Sequence, residues 1–478
     1  MQTAIPRLLV AGLSGDGGKT LVALGLCAAL RRRGRAVAAC KKGPDYIDAA
    51  WLGLAAGRPA VNLDTYLMGS EVTRASFIRH AQDADISVIE GNRGLYDGSD
   101  AGGAHSSAAL AKLVGAPVLL VVNAAKATRT LAALVLGCQK MDPEVRFAGV
   151  VLNQIGGERH ARVAREAIET VCGIPVLGVV PKLADAGRIP GRHLGLVPVD
   201  EFPDLDGALS LAADVAEKYL DLDRLLALAA EVEPLSVDST VESVRQTADA
   251  TIGVLRDGAF SFYYPENLEA LRQAGATVAP IRSMADEALP DIDALYIGGG
   301  FPETHAERLV QNAPLRRAIA EAARAGLPIY AECGGLMYLA REIRWQGKAF
   351  PMCGVLPLVV QMHDRPQGHG YAELTVDAAN PFYPVGTRLI GHEFHYSSVV
   401  GGEATETAGA VRRGAGLGNG RDGLVVGNVA AFYTHVHALG APEWATGLVA
   451  AAQRFSAWKR QPASGRTDGA IRCAPAAW

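Results

Sequence analysis

Four short runs in the first half of the chain carry almost no polar residue: Leu8-Leu9-Val10-Ala11, Ile86-Ser87-Val88-Ile89, Val118-Leu119-Leu120-Val121-Val122 and Gly149-Val150-Val151-Leu152. A strand with one wet face alternates polar and apolar residues, so runs without alternation must be covered on both sides, as parallel strands between helices are. The rhythm of apolar run, glycine-rich turn and amphipathic stretch predicts a doubly wound α/β sheet with ligands beyond the C-terminal strand ends. Between about Leu225 and Thr251 it fades into acidic and small residues (Glu231, Glu233, Pro234, Asp238, Ser239, Glu242), then restarts with Thr251-Ile252-Gly253-Val254-Leu255, Ala294-Leu295-Tyr296-Ile297 and Pro328-Ile329-Tyr330-Ala331. At 478 residues the chain also exceeds what one hydrophobic core normally serves. The pattern therefore predicts two doubly wound α/β domains, 1–230 and 251–460, joined by a linker at 231–250. Gly370 to Val376 alternates and suits an antiparallel or edge strand. Residues 461–478 read as a disordered tail, and no internal repeat is evident.

Charge excludes several partners. Lys and Arg total 46 against 50 Asp and Glu, a formal net charge of −4. The one basic block, Arg31-Arg32-Arg33, closes an apolar helical pattern, where cations complement the helix C-terminus. Nucleic acid and anionic membrane are therefore not expected as partners. Seven scattered cysteines without CxxC spacing suit reduced thiols rather than disulfides or zinc. With no signal-like start and no run of eighteen apolar residues, a soluble cytoplasmic protein is expected.

The first strand runs into Gly12-Leu13-Ser14-Gly15-Asp16-Gly17-Gly18-Lys19-Thr20 and then a helical pattern. A glycine-rich turn between strand and helix lets backbone N–H groups close around phosphates, and the helix N-terminus favours negative charge. Gly12, Gly15, Gly17 and Gly18 would form this cradle, Lys19 would reach the outer phosphates and Thr20 would bind Mg²⁺. The leading glycine is one place earlier than usual, which resembles the loop of dethiobiotin synthetase and its relatives. Partition-type ATPases carry an additional lysine where Ser14 stands, which favours a metabolic ligase over a switch ATPase. Asp45 and Asp48, and Glu90, follow apolar strands on the edge where phosphates would lie; paired hard oxygens there suit Mg²⁺.

In the second half, Pro328-Ile329-Tyr330-Ala331-Glu332-Cys333-Gly334-Gly335 has the form of a nucleophile elbow. The following helix N-terminus is expected to lower the pKa of the Cys333 thiol. The Gly334 N–H would face a developing oxyanion, with further donors from Gly299 and Gly300 in the turn Gly298-Gly299-Gly300-Phe301-Pro302-Glu303. The thiol requires a base. His435 is the choice, with His437 as alternative base or support. Class I glutamine amidotransferases often have a His-x-Glu triplet there, but the chain reads His435-Val436-His437, so an orienting glutamate is not expected. His363, His369, His392 and His395 form a second cluster; a metal reading of Gly391-His392-Glu393-Phe394-His395 ranks below a substrate-facing or structural one.

Together these halves resemble the cobyrinic acid a,c-diamide synthase family. The resemblance rests on Lys41-Lys42-Gly43-Pro44-Asp45-Tyr46-Ile47-Asp48, Asn62-Leu63-Asp64, Glu90-Gly91-Asn92-Arg93-Gly94-Leu95-Tyr96-Asp97-Gly98, Val151-Leu152-Asn153, Arg192-His193-Leu194-Gly195-Leu196, Ala259 to Asn267 and Ala331-Glu332-Cys333-Gly334-Gly335. It implies a dethiobiotin-synthetase-like, P-loop NTPase-like ATP domain fused to a class I glutaminase-like domain. The implied reaction activates a tetrapyrrole carboxylate with ATP and Mg²⁺, then amidates it with ammonia from glutamine. It further implies metal and substrate ordering by Asp45, Asp48, Glu90 and Asp97, with Tyr46 and His369 on the substrate side and Asn153 at the adenine base. The family often has Val-Met at Asn92-Arg93 and Leu-Gly-Tyr within Arg365 to Tyr371. Both departures resemble a branch thought to amidate sirohaem-type tetrapyrroles, so cobyrinate or hydrogenobyrinate, amidated at the a and c side chains, leads only narrowly over sirohaem or a nickel-sirohydrochlorin precursor as substrate. A homodimer is a further possibility. The competing readings are cobyric acid synthase and a non-enzymatic, ATP-switched assembly protein; the Lys-Lys-Gly-Pro-Asp-Tyr-Ile-Asp run argues against the first, and Ser14, Cys333 and His435 against the second.

Overall fold

The computed structural model describes residues 2–183, 191–192, 195–236, 250–400 and 406–461. His193-Leu194 of the family-like motifs, most of the expected linker and all but Gln461 of the expected tail lie outside the described residues. The chain divides into two compact units, Met1–Val241 and Glu242–Trp478.

The N-terminal unit is built on a seven-stranded, wholly parallel sheet. From one edge to the other its strands are Val61–Leu63, Val37–Lys42, Ile86–Gly94, Arg7–Gly12, Val118–Asn123, Phe147–Ile155 and Val176–Pro181. The run read first, Arg7–Gly12, is central and buried along its whole length, which explains its lack of polar alternation. The chain leaves it toward one edge, returns at Ile86–Gly94, and crosses over to build the other half. The sheet therefore reverses direction beside Gly12, where doubly wound folds open a crevice for ligand. Ile86–Gly94 continues past Glu90, so that carboxylate lies in the middle of the strand and not at its end or in the loop beyond it.

The C-terminal unit has a ten-stranded mixed sheet. Its first five strands are parallel: Ala276–Ile281, Ala250–Leu255, Ala294–Ile297, Ile329–Glu332 and Val429–Phe432. The other five, Arg421–Val426, Thr407–Arg413, Gly368–Val376, Arg388–His395 and His435–Val436, are antiparallel to their neighbours. The alternating run around Gly370 is thus antiparallel as expected, but not an edge strand: it is paired on both sides. Its alternation reflects one half-exposed face, with Ala372, Leu374 and Val376 inward. A separate four-stranded sheet is formed by Lys348–Pro351, Glu342–Trp345, Val359–Met362 and Ser397–Val400. No helix among the described residues is long and apolar enough to cross a membrane.

Candidate active site

The phosphate-loop residues close on themselves at the central strand of the first unit. Gly18, in the left-handed region at φ 93°, caps the helix Lys19–Arg32. A side chain there would run into the amide of Asn153, whose Nδ2 donates to the Gly17 carbonyl at 3.1 Å. The Lys19 stem lies along Gly12, and its ammonium donates to the Ser14 carbonyl at 2.7 Å, so the loop holds its own cation in place. Burial lowers the Lys19 ammonium from its ordinary range, against the pull of Glu90.

A buried charge cluster lies beside this loop. Lys41 Nζ is 2.7 Å from Asp48, 3.2 Å from Glu90 and 3.8 Å from Asp45. Burial alone would lower the Lys41 ammonium, but the three carboxylates reverse this and hold it above its usual range. Glu90 is raised by burial despite Lys41, and Asp45 is raised by burial and by Asp48. Thr20 Oγ1 donates to Glu90 Oε1 at 2.6 Å, while Glu90 Oε2 is buried without a hydrogen-bond partner among the described residues. Among those residues no set of three or more His, Cys, Asp or Glu could hold a metal unaided. A hydroxyl, an orphaned carboxylate oxygen and a neighbouring carboxylate nevertheless fit Mg²⁺, which takes few protein oxygens and completes its shell with phosphates and water.

The remaining residues singled out in this unit are placed as follows. Asp45 Oδ1 accepts from the Asp48 N–H at 2.9 Å, and Tyr46 caps the helix Ile47–Ala56. Asp97 is exposed and accepts from the Gly94 N–H at 2.8 Å, closing the turn that ends the strand. Beyond Asn153, residues Thr128, Gly156 to His160 and Val163 line an open cavity of about 550 Å³.

In the second unit the elbow forms as the sequence implies. Cys333 adopts φ 47°, ψ −99° between strand Ile329–Glu332 and helix Gly334–Leu339, a conformation rare for a residue with a side chain. Its N–H donates to the Phe432 carbonyl at 2.7 Å, fixing the elbow to the neighbouring strand. The Gly298–Gly300 turn packs directly on it: a methyl group on Gly334 would stand 3.0 Å from the Gly300 nitrogen. The same turn touches His435, since a methyl on Gly299 would meet its Cε1 at 2.5 Å. Cys333, Gly334, Gly299, Gly300 and His435 are therefore brought together from three separate stretches of chain.

Two expectations are corrected here. The helix N-terminus does not lower the thiol: Cys333 is almost wholly buried, and burial, reinforced by Glu303, pushes it above the usual cysteine range. The helix has only six residues, too little dipole to offset that desolvation. Second, His435 does have a carboxylate. Glu332 Oε2 lies 3.4 Å from its Nδ1, and the contact comes from the residue before the nucleophile instead of from two places after the base.

Sequence reasoning missed Glu332 although it lies within the quoted elbow motif; its signal, an acid ending an otherwise apolar buried strand, was present. It also missed Asp422. That buried carboxylate accepts from the N–H groups of Tyr433 and Thr434, each at 3.0 Å, and from the Thr434 hydroxyl at 2.7 Å, pinning the turn that leads to His435.

The histidine cluster separates. His392 stacks on His435 with ring centroids 5.0 Å apart, and His395 stacks on Tyr433 while facing Glu393 at 3.3 Å. His437 packs against Tyr264 and accepts the Leu439 N–H at its Nδ1. His363 and His369 are exposed, the latter against Phe394.

Comparison with known proteins follows this geometry. Residues 8–197 match the CobQ/CobB/MinD/ParA nucleotide binding domain, and residues 251–443 match the CobB/CobQ-like glutamine amidotransferase domain. Fold and matches define the class: a nucleotide-binding unit joined to a glutamine amidotransferase unit. The cobyrinate a,c-diamide synthase of Magnetococcus marinus is 45% identical over 452 residues, covering 93% of this chain and 97% of that protein. That of Archaeoglobus fulgidus is 41% identical over 439 residues, covering 91% and 95%. The hydrogenobyrinate a,c-diamide synthase of Streptomyces coelicolor is 40% identical over 471 residues, again covering 91% and 95%. The chain belongs to the cobyrinate a,c-diamide synthase family.

Proposed function

We propose that this enzyme amidates the a and c side-chain carboxylates of cobyrinate or hydrogenobyrinate, using ATP to activate each carboxylate and glutamine as nitrogen donor. The observation that carries this reading is the similarity to named a,c-diamide synthases across nearly the whole length of both partners. In this reading 1–230 is the ATP- and substrate-binding domain and 251–460 the amidotransferase.

The chemistry divides between two defects. A carboxylate is a poor electrophile, and ammonium at neutral pH is a poor nucleophile. In the first unit the substrate carboxylate attacks the γ-phosphorus of ATP, releasing ADP and leaving an acyl phosphate. Gly12, Gly15, Gly17 and Gly18 cradle the phosphates, Lys19 leaves the Ser14 carbonyl to offset the transferring charge, and Asn153 sits by the adenine base. Thr20, Glu90 and Asp48 would hold Mg²⁺, which when bound neutralises phosphate charge. Asp45, Tyr46 and Asp97 order the macrocycle. Lys41 opposes the burial that raises Asp45 and Glu90 and so favours their ionised forms.

In the second unit Cys333 gives its thiol proton to His435 and attacks the glutamine side-chain amide. The oxyanion is met by N–H groups of Gly334 and the Gly299–Gly300 turn. The proton passes to the departing nitrogen, water hydrolyses the thioester to glutamate, and ammonia displaces phosphate from the acyl phosphate. Because burial favours the neutral thiol, its proton is expected to leave as glutamine seats and not beforehand.

The test is mass spectrometry after incubation with ATP, Mg²⁺ and glutamine plus, in separate reactions, cobyrinate, hydrogenobyrinate, sirohaem and nickel-sirohydrochlorin. Two replacements of OH by NH₂ on cobyrinate or hydrogenobyrinate are expected. Conversion of only the sirohaem-type substrates would overturn the substrate assignment while leaving the chemistry intact. Cys333→Ala should abolish glutamine-dependent turnover and keep turnover with free ammonia.

A further inference from the structure

The side chains of Glu332 and His435 are 1% and 2% exposed and face each other, Oε2 to Nδ1, at 3.4 Å. That separation is long for a hydrogen bond, as catalytic contacts are before substrate tightens them. The carboxylate is not free to turn away. Tyr296 OH donates to the same Oε2 at 3.1 Å, and the Val436 N–H donates to Oε1 at 3.3 Å. One of those donors is the residue after the base, so Glu332 grips the histidine by its ring and by its backbone. The Cε1–Nε2 edge of the imidazole lies against Gly299, in the turn that also packs on Gly334. One ring face is covered by His392.

We infer that Glu332 is the positioning residue of the glutaminase site, resting on the roles of Cys333 and His435 proposed above. It accepts the Nδ1–H of His435, which fixes the tautomer and presents Nε2 on the side of the nucleophile. When the thiol proton moves from Cys333 Sγ to Nε2, thiolate and imidazolium form together, and the Glu332 charge faces the imidazolium. The proton then leaves on the departing nitrogen, returning His435 to its neutral form. Nucleophile and orienting acid are thereby consecutive residues of one chain, on opposite sides of the elbow's backbone turn. The strand's last residue aims inward at the base, and the strained residue after it aims at substrate. The usual His-x-Glu arrangement fixes acid to base; here acid is fixed to nucleophile, and strand pairing between Glu332 and Phe432 brings the base to both.

Glu332→Gln keeps the shape and removes the charge. Its glutaminase kcat is expected to fall by about a hundredfold or more, with KM for glutamine changed by less than about threefold. Ammonia-supported amidation and the melting temperature should stay at parent values. Alkylation of Cys333 by iodoacetamide near neutral pH, followed on the Cys333 peptide, should slow. A purely structural carboxylate would instead lower melting temperature and both activities together. Tyr296→Phe, which removes one clamp from Glu332, is the second variant. It should lower kcat with glutamine by about tenfold at unchanged KM, and it carries the test should Glu332→Gln not fold. A folded Glu332→Gln, or Tyr296→Phe, with parent kcat and parent alkylation rate overturns the inference. Cys333→Ala separates this failure from that of the underlying reading: if it still uses glutamine, the site itself is misassigned.

Discussion

Among single residues, the glycines around the two sites carry the sharpest expectations, because each leaves room that a methyl group would fill. At Gly299 the missing methyl is occupied by the proposed base, with His435 Cε1 at 2.5 Å. Gly299→Ala should push the imidazole off the thiol and lower glutamine-dependent kcat by about tenfold or more, since sub-ångström errors in catalytic geometry are costly. Amidation from free ammonia should be unaffected, and that ratio is the measurement. At Gly18 two penalties combine: a φ of 93° and a collision with the Asn153 amide. Gly18→Ala should cost roughly 1–2 kcal/mol of backbone strain and move the loop, raising KM for ATP while leaving glutamine hydrolysis intact. Both glycines were legible in the sequence because loop motifs are local. Glu332 was not read, because what makes it functional is His435, a residue 103 positions away.

Elements decide how such distant residues meet. The strand Val429–Phe432 pairs with Ile329–Glu332, and the chain must then turn sharply to deliver His435 beside Cys333. That turn is held by Asp422, whose two oxygens take hydrogen bonds from Gly423, Tyr433 and both donors of Thr434. Burial raises this carboxyl, and the hydrogen bonds partly restore it. Asp422→Ala strips an acceptor from several buried donors, so it should destabilise the unit by about 3 kcal/mol or more. Thermal unfolding checks the loss, and glutaminase activity should fall with it at temperatures where the variant remains folded. The parallel strands were legible because burial on both faces leaves an unbroken apolar signature. Arg421-Asp422-Gly423 reads in sequence as an ordinary polar turn, and only pairing of Arg421–Val426 with Val429–Phe432 carries the acid inside. The antiparallel half of the second sheet was equally obscure, since alternation says that one face is wet without saying how many neighbours a strand has.

At the scale of the molecule, buried titratable groups make the two units respond differently to acid. In the second unit His437 is neutral in the folded state, its pKa driven by burial down to about 3, and burial with the neighbouring His435 and His437 places His392 well below its ordinary range. Once unfolded, both bind protons near pH 6.5, so below that value the unfolded chain holds more protons than the folded one. The stability these histidines contribute is complete above about pH 6.5 and is lost as pH falls below it, for His437 down to about 3. At about 1.4 kcal/mol per pH unit, His437 alone removes on the order of 2 kcal/mol between pH 7 and 5, and His392 acts in the same direction. That is a large share of the roughly 5–15 kcal/mol that typically holds a domain. Among the described residues of the first unit such a group is His80, lowered to about 4 by burial and Arg58. Burial raises the carboxyls of Asp45 and Glu90, which acts in the opposite sense by favouring proton uptake in the folded state. The losses and gains there oppose each other, whereas in the second unit the histidine losses add. Calorimetry of the full chain at pH 7 and pH 5, with limited proteolysis to show which unit opens first, should find the 242–478 transition shifted down further than the 1–241 transition. His437→Asn should flatten the dependence of the second unit alone. Equal shifts in both transitions, or a slope unchanged by that substitution, would contradict the assignment of neutral buried histidines as the cause.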